Sequence, residues 1–531
     1  MSLSTTHHDS APATTLPHDS ARTTTLQTYT RLLGPNELSY FLPSRANGLN
    51  DIFTRVMFRA PPSMVTPFRL QCVWAIVRTQ HSTLSSRIEM PPGRYNEAAF
   101  SYTPPASPKD AFEEAARALT ICDDKTGVQL DDHFVHGPRE LSATCLSRMY
   151  VARCNDGASD GKILVNMAFS SLHTITDGTS ANIYTILQYL GGPVRPDGSV
   201  RTDEQLFAIL QAEWRKRWGS SEATEALDAI TPSAESRLPF PTSQFQVAAW
   251  RIDSLNFHRK AIGGHTFPRL PSIGNTTRQA MLEIKFSGAQ TLALVSKCAS
   301  EGVNLANAVF ALCNMAWLRT AASRGPEFVA NLRRHLAPVA PLTSPMALAL
   351  GYGTVVLPGF LPSGHQAHLK SAFWHRAKSV KTQMNKQLKS PMFLPRAQVL
   401  AVERGRRSKA FAKMDDEGIE GPPPPPANSP TNSAAPSIAL MGISHLGDLG
   451  TSYQPDSYPA LEFVDSVGHS RKAPGGILLF TRVAAGQCFS MMLEWDAAAF
   501  PKGLVEDFWA FVEQGFKDFV LEEGEAIGAK L

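Results

Sequence analysis

A short apolar run, Lys162-Ile163-Leu164-Val165-Asn166-Met167-Ala168-Phe169, leads into Ser170-Ser171-Leu172-His173-Thr174-Ile175-Thr176-Asp177-Gly178, and a helical pattern begins near Ser180. An apolar run of this length, bounded by turn residues, reads as a buried strand. Each half of the chain carries a similar mix of strand and helix patterns, as an α/β fold would. A histidine at the strand's exit, with an acid four residues on and then a glycine, is a general base held on a tight turn. It suits a reaction that removes a proton from a weakly acidic hydroxyl near neutral pH. The alternative is a core histidine capping a turn with help from Asp177.

At 531 residues the chain is too long for one ordinary core, so two domains are expected. A hydrophobic content of 43% with 18% charged residues describes a globular enzyme with large apolar interiors. The net charge is +4 and the Lys and Arg residues are scattered, which speaks against a nucleic-acid footprint. Seven cysteines (Cys72, Cys122, Cys145, Cys154, Cys298, Cys313, Cys488) follow no metal-ligand spacing and favour a reducing compartment over a disulfide scaffold. No apolar stretch reaches the roughly 18 residues of a membrane span. The Ser/Thr/His-rich start lacks the hydrophobic core of a signal peptide, and residues 1–30 are expected to be a disordered arm.

Strand patterns run over 50–58, 163–169, 281–286, 438–444, 476–483 and 488–495; helical spacing runs over 68–79, 111–119, 183–190, 204–218, 305–318, 373–388 and 504–520. Ser287 reads as the N-cap of a helix over 289–298, and Gly191-Gly192 ends an earlier one. Residues 219–250, rich in Ser, Thr and Pro, read as a crossover linker. The Pro422–Pro426 run places a mobile loop over 415–437. His133 and His136 lack a third ligand at sensible spacing, so a polar loop is expected there and no metal site.

The unit of strand, His173-x-x-x-Asp177-Gly178 and helix resembles the signature of the acyl-CoA-dependent acyltransferases related to chloramphenicol acetyltransferase. That superfamily includes the plant BAHD enzymes and peptide-synthetase condensation domains. Gln80–Ile88 resembles a further passage of such proteins, the one after their first long helix. Asn331-Leu332-Arg333-Arg334 with Gly351-Tyr352-Gly353 resembles their Asn-x-Arg stretch and Gly-rich turn, and Ile443-Ser444-His445-Leu446-Gly447 resembles their Ser-Asn-x-Gly strand. The Asp-Phe-Gly-Trp-Gly motif of the plant branch is absent, so the chain is more similar to the fungal members.

The resemblance implies two similar lobes, each a mixed β-sheet with flanking helices, and an active-site channel at their interface. The lobes are expected over 31–218 and 251–531. His173 would take the proton from an acceptor alcohol as its oxygen attacks a thioester carbonyl, with no acyl-enzyme. Asp177 would point away from substrate and fix the loop, commonly through an arginine. Ser444 is the candidate for stabilising the oxyanion, against the reading of a strand-end hydroxyl satisfied by its own backbone. Gly178 would let a neighbouring backbone approach closely, and Gly447 would support the motif strand. His445 would stand where asparagine is usual, and the basic helix Lys378–Lys389 would be a phosphate contact or a solvated face.

Acyl-CoA is then the co-substrate, with no cofactor or metal, and the acceptor a small hydroxylated molecule; a monomer is expected. A condensation-type enzyme using carrier-bound acyl groups is the alternative, as is acetylation of a fungal terpenoid or polyketide. The chain ends Ala529-Lys530-Leu531, similar to the Ser-Lys-Leu address read by the peroxisomal import receptor. Peroxisomal location, with cytoplasm as the alternative, implies short or medium acyl chains. On address and family together the chain is similar to the fungal enzymes that acylate mannosylerythritol in making glycolipid biosurfactants.

Overall fold

A computed structural model describes residues 27–154, 160–177, 183–193, 199–219, 229–238, 241, 243–261, 267, 269–270, 277–320, 327–331, 346–362, 366–419, 441–451, 453–484, 488–521 and 529–530. The first part of the chain forms β1 (Tyr29–Leu32), α1 (Pro35–Asn47), β2 (Ile52–Ala60), α2 (Pro67–Gln80), β3 (Arg87–Glu89), β4 (Ala99–Tyr102), α3 (Pro108–Arg117), β5 (Leu119–Ile121), α4 (Gly127–His136), β6 (Ser147–Cys154), β7 (Ile163–Ser171), α5 (Ile183–Gly191) and α6 (Asp203–Trp218). The remainder forms α7 (Gln244–Ala261), β8 (Gln279–Lys285), α8 (Gly288–Ser300), α9 (Leu305–Thr320), β9 (Glu327–Asn331), β10 (Leu350–Thr354), α10 (Gln366–Leu388), α11 (Phe393–Asp416), β11 (Gly442–Asp448), β12 (Glu462–Ser470), β13 (Ile477–Ala484), β14 (Cys488–Asp496), α12 (Leu504–Phe519) and β15 (Ala529–Lys530).

The run that opened the sequence reading is β7, the middle strand of a five-stranded sheet ordered β12-β2-β7-β6-β5. Its side chains alternate between faces, as a strand requires. Val165, Met167 and Phe169 enter the first core, where Phe169 meets Trp74 of α2 edge-on at 6.0 Å. The opposite face carries Asn166, whose amide oxygen accepts from Arg55 Nη1 at 2.8 Å. The helix α2 is buried nearly all round; Thr66 caps it by accepting from the Arg69 backbone, and Pro67 starts it where no amide donor is needed.

The second lobe centres on a sheet ordered β10-β9-β11-β13-β14-β8-β15. One face of β14, with Phe489, Met491, Leu493 and Trp495, packs into a core shared with α9 and α12. The other face, with Ser490, Met492 and Glu494, turns away from that core. Ser287 caps α8 in a reciprocal box with Gln290.

Two elements of the 251–531 stretch lie with the first lobe. The strand β12 pairs antiparallel with β2, Ser470 opposite Ile52 and Glu462 opposite Arg59. The helix α11 lies along α1, and its Ala412 enters the first core. Gly405 marks their closest approach, since a Cβ there would stand 2.8 Å from the Pro35 carbonyl. The sequence reading had no element for α1, β6, α11 or β12. Pro395 and Gly405 look like breakers in α11, yet Pro395 falls in its first turn, where the missing amide costs little.

Several boundaries move. The described chain begins at 27 with Tyr29 already in β1, and Leu119 opens β5 rather than closing a helix. The last residues of the 219–250 linker are helical in α7, 415–416 close α11 and a turn follows it at 417–418; residues 420–437 of the 415–437 loop lie outside the described residues. His133 and His136 sit on α4 and not on a polar loop: Thr126 and Gln129 form its capping box. Gly351-Tyr352-Gly353 is strand, paired with β9, and not a turn. No helix among the described residues is long and apolar enough to cross a membrane.

Candidate active site

The sheet delivers His173 two residues past the end of β7. Its Nδ1 lies 2.8 Å from the Thr176 carbonyl oxygen. A carbonyl only accepts, so Nδ1 carries the hydrogen and the lone pair of the neutral ring is on Nε2. Burial pushes the imidazole below its ordinary range; the Thr176 carbonyl and Asp177 oppose this, while the nearby Arg404 charge works in the same direction as burial. The side chain is half-buried, with part of its surface open to solvent. The result is a neutral base with one fixed tautomer.

Asp177 closes the turn and is fully buried. Its Oδ2 accepts the Ala349 backbone N–H at 3.0 Å. That donor belongs to the buried segment 346–349, whose other end is held where the Met346 N–H reaches His81 Nδ1 at 3.3 Å. The aspartate thus ties the histidine's turn to the second half of the chain. Arg333 and Arg334, the arginines of the second-half passage, and Gly178 lie outside the described residues.

Ser444 sits half-buried on β11. It pairs with Phe480, which pairs with Met492, which pairs with Glu283, and residues so paired share a face. That face is opposite the one by which Ile443, Leu479 and Leu493 enter the second core. No hydrogen bond joins Ser444 to His173 among the described residues. Gly447 follows a register shift in the β11–β13 pairing and has φ of 76°, a left-handed backbone that glycine adopts without strain. His445 is held by Thr481, Nδ1 to Oγ1 at 2.7 Å.

Tyr40 of α1, which the sequence reading missed, packs on the imidazole with ring centroids 4.4 Å apart. No local signal marks it, because its partner lies 133 residues downstream. The helix histidines have partners of their own: His133 meets Glu140 at 2.8 Å, and His136 meets Asp132 at 2.8 Å and the Gln279 carbonyl at 2.9 Å. On the basic helix, Lys378 pairs with Glu301 at 3.3 Å.

A second buried histidine lies where β12 meets the second lobe's sheet. His469 Nδ1 is 2.7 Å from Glu494 Oε1 and its Nε2 is 3.7 Å from Asp131. Lys472 reaches the other oxygen of Glu494 at 2.5 Å, and Arg55 grips Asp131 at 2.6 Å. Burial opposes the charged ring, but the Asp131 and Glu494 carboxylates outweigh it and push His469 up to about 9. A groove of about 580 Å³, lined by Lys162, Lys285, Phe463, Asp465, Cys488 and Ser490, opens elsewhere. It adjoins the start of β7, roughly 30 Å along the strand from His173 at about 3.3 Å per residue.

No family model and no curated relative matches the sequence. Solved structures do match it over nearly its whole length. The trichothecene 15-O-acetyltransferase of Fusarium sporotrichioides is 12% identical with a TM-score of 0.68, over 93% of this chain and 96% of that one. The condensation domain of the Monacolin K polyketide synthase MokA is 11% identical with a TM-score of 0.55, over 92% and 96%. The epimerization domain from the third module of tyrocidine synthetase B is 11% identical with a TM-score of 0.51, over 92% and 96%. Identities this low establish the architecture: two lobes of the chloramphenicol acetyltransferase type.

Proposed function

We propose that the chain is an acyltransferase that moves an acyl group from a coenzyme A thioester to a hydroxyl, with His173 as general base. The observation that carries this reading is the imidazole itself, neutral, half-open to solvent, with Nδ1 committed to the Thr176 carbonyl and Nε2 left to accept a proton. In the step, the acceptor oxygen attacks the thioester carbonyl carbon as Nε2 takes its proton. The tetrahedral oxyanion then collapses, the C–S bond breaks, and the imidazolium returns the proton to the leaving thiolate. Ester and free coenzyme A result, and no acyl-enzyme forms.

Asp177 supports this chemistry through geometry. Buried and bonded to the Ala349 amide, it holds the turn and does not exchange the proton. Ser444 is the proposed donor to the oxyanion, on a face turned away from the second core. No cofactor or metal enters this scheme.

A condensation-type enzyme taking its acyl group from a carrier protein is the second reading, favoured by the likeness to condensation domains. The acceptor belongs to the finer part of the proposal: a glycolipid such as mannosylerythritol, with a terpenoid or polyketide alcohol as the rival. So does a peroxisomal address at Ala529-Lys530-Leu531.

The test is release of free thiol from purified protein given acyl-CoA of graded chain length and a panel of polyols. His173→Ala should lower the rate by about 10²-fold or more. An alanine variant with wild-type turnover removes the assignment. Equal amounts of acyl-CoA and acyl-phosphopantetheinyl carrier protein, offered in parallel, separate the two donors.

A further inference from the structure

The imidazole of His173 is packed by Tyr40, and Tyr40 in turn is held by groups from two distant parts of the chain. Tyr40 of α1 lies against it with centroids 4.4 Å apart and planes 41° apart. The Tyr40 hydroxyl is hydrogen-bonded to the hydroxyl of Tyr352 on β10, 312 residues away. The guanidinium of Arg404 on α11 lies 4.3 Å from the Tyr352 ring centroid and 5.5 Å from that of Tyr40. Arg404 is held over these rings by the close approach of α11 to α1 at Gly405, its neighbour in sequence.

This is a chain of contacts from guanidinium to phenol pair to a tilted imidazole. Each member has a physical consequence for the next. A guanidinium over a tyrosine face is attracted by the ring quadrupole and restrains the ring. The restrained Tyr40 ring packs on the imidazole whose Nδ1 meets the Thr176 carbonyl, and so opposes its rotation away from that bond. The positive charge of Arg404 also disfavours a second positive charge on His173. Among the described residues the titratable or charged groups acting on the imidazole are Asp177 on its own turn, Tyr40 on α1 and Arg404 on α11, with Tyr352 of β10 behind Tyr40. Asp177 alone of these favours the protonated ring.

We propose that Tyr40, Tyr352 and Arg404 form one positioning unit by which the second half of the chain sets the orientation and the proton affinity of His173. The unit rests on His173 being the base, and it adds residues that touch neither the donor nor the acceptor in the scheme above. It makes the base dependent on the second half of the chain: Tyr40 of α1 lies against the ring, and the groups that hold Tyr40 come from β10 and from α11, which crosses back onto the first lobe.

The test uses the full chain with carbon-13-labelled histidine. The His173 signal is assigned by its absence from His173→Gln, and its titration is followed by NMR, which needs no turnover. Arg404→Gln should raise the His173 titration midpoint, while Arg404→Lys, which keeps the charge, should leave the midpoint near wild type. Tyr40→Phe and Tyr352→Phe each remove one hydroxyl and keep the ring. Each should lower kcat by up to about tenfold with KM little changed, and the double variant should be no worse than either single one, because both delete the same hydrogen bond.

An unmoved midpoint in Arg404→Gln overturns the proposal. So does a double phenylalanine variant whose loss is the product of the two single losses. Absence of turnover with every donor would instead defeat the acyltransferase reading, and the NMR titration would still decide the positioning unit.

Discussion

His173 is half-buried and His469 wholly buried, and the protein drives them in opposite directions. His173 has one nearby carboxylate, Asp177, whose oxygen is engaged by the Ala349 amide, and a guanidinium beyond Tyr40. Its charged form is disfavoured, and it stays a neutral base. His469 lies between Glu494 and Asp131, and its charged form is favoured up to about 9. Burial alone would lower both. The count of carboxylates in contact decides which histidine is available for chemistry and which is spent as a cation in the seam between the lobes.

The largest effect that could break this comparison is on activity. His173→Gln should abolish thiol release by about 10²-fold or more while the thermal midpoint stays near wild type. His469→Gln should do the reverse. Removing the imidazolium takes one member out of a buried charged network, leaving Glu494 to Lys472 and Asp131 to Arg55, at a cost of about 1–3 kcal/mol. A circular-dichroism melt should therefore show His469→Gln markedly less stable. Equal thermal losses in the two variants would dissolve the distinction.

The pH dependence sharpens it. The folded value of His469, about 9, stands above the ordinary 6.5. Its contribution to stability is therefore complete below about 6.5 and is lost as pH rises through about 9. The thermal midpoint of the wild type should fall across that window, and that of His469→Gln should fall less. For His173 the sign is opposite: its folded value lies below 6.5, so the acid limb of kcat/KM should also lie below 6.5.

Smaller effects test the supports. Gly405→Ala would set a Cβ 2.8 Å from the Pro35 carbonyl, and overpacking of this kind costs about 1–3 kcal/mol. The melt should drop, and turnover with it as Arg404 is displaced. Lys378→Ala removes an exposed pair with Glu301 and should change stability by less than about 1 kcal/mol. A large loss of donor affinity in that variant would make the basic helix α10 a phosphate contact.

Much of the local structure was legible in the sequence. The strand β7, the buried α2, the Ser287 cap and the buried α9 each follow from signals within a dozen residues: alternation, helical spacing, a capping side chain. So does the histidine on its turn. The strand β12 was not legible, because Glu462–Ser470 carries Asp465, Ser466 and His469, and two of these polar residues find charged partners, Lys285 and Glu494, only on the opposite lobe's sheet. Nor was α4, whose histidines read as loop until their partners Glu140, Asp132 and Gln279 are in place.

The sequence by itself determined where a base stands and on what kind of turn, since strand, turn and motif are consecutive in the chain. Only the tertiary structure decided what holds that base. Asp177 meets an amide 172 residues away and Tyr40 a hydroxyl 312 residues away. Short-range periodicity carries no information about such pairs; they exist because the segment 346–349 and the strand β10 that follows it come up against the turn of His173 and against α1.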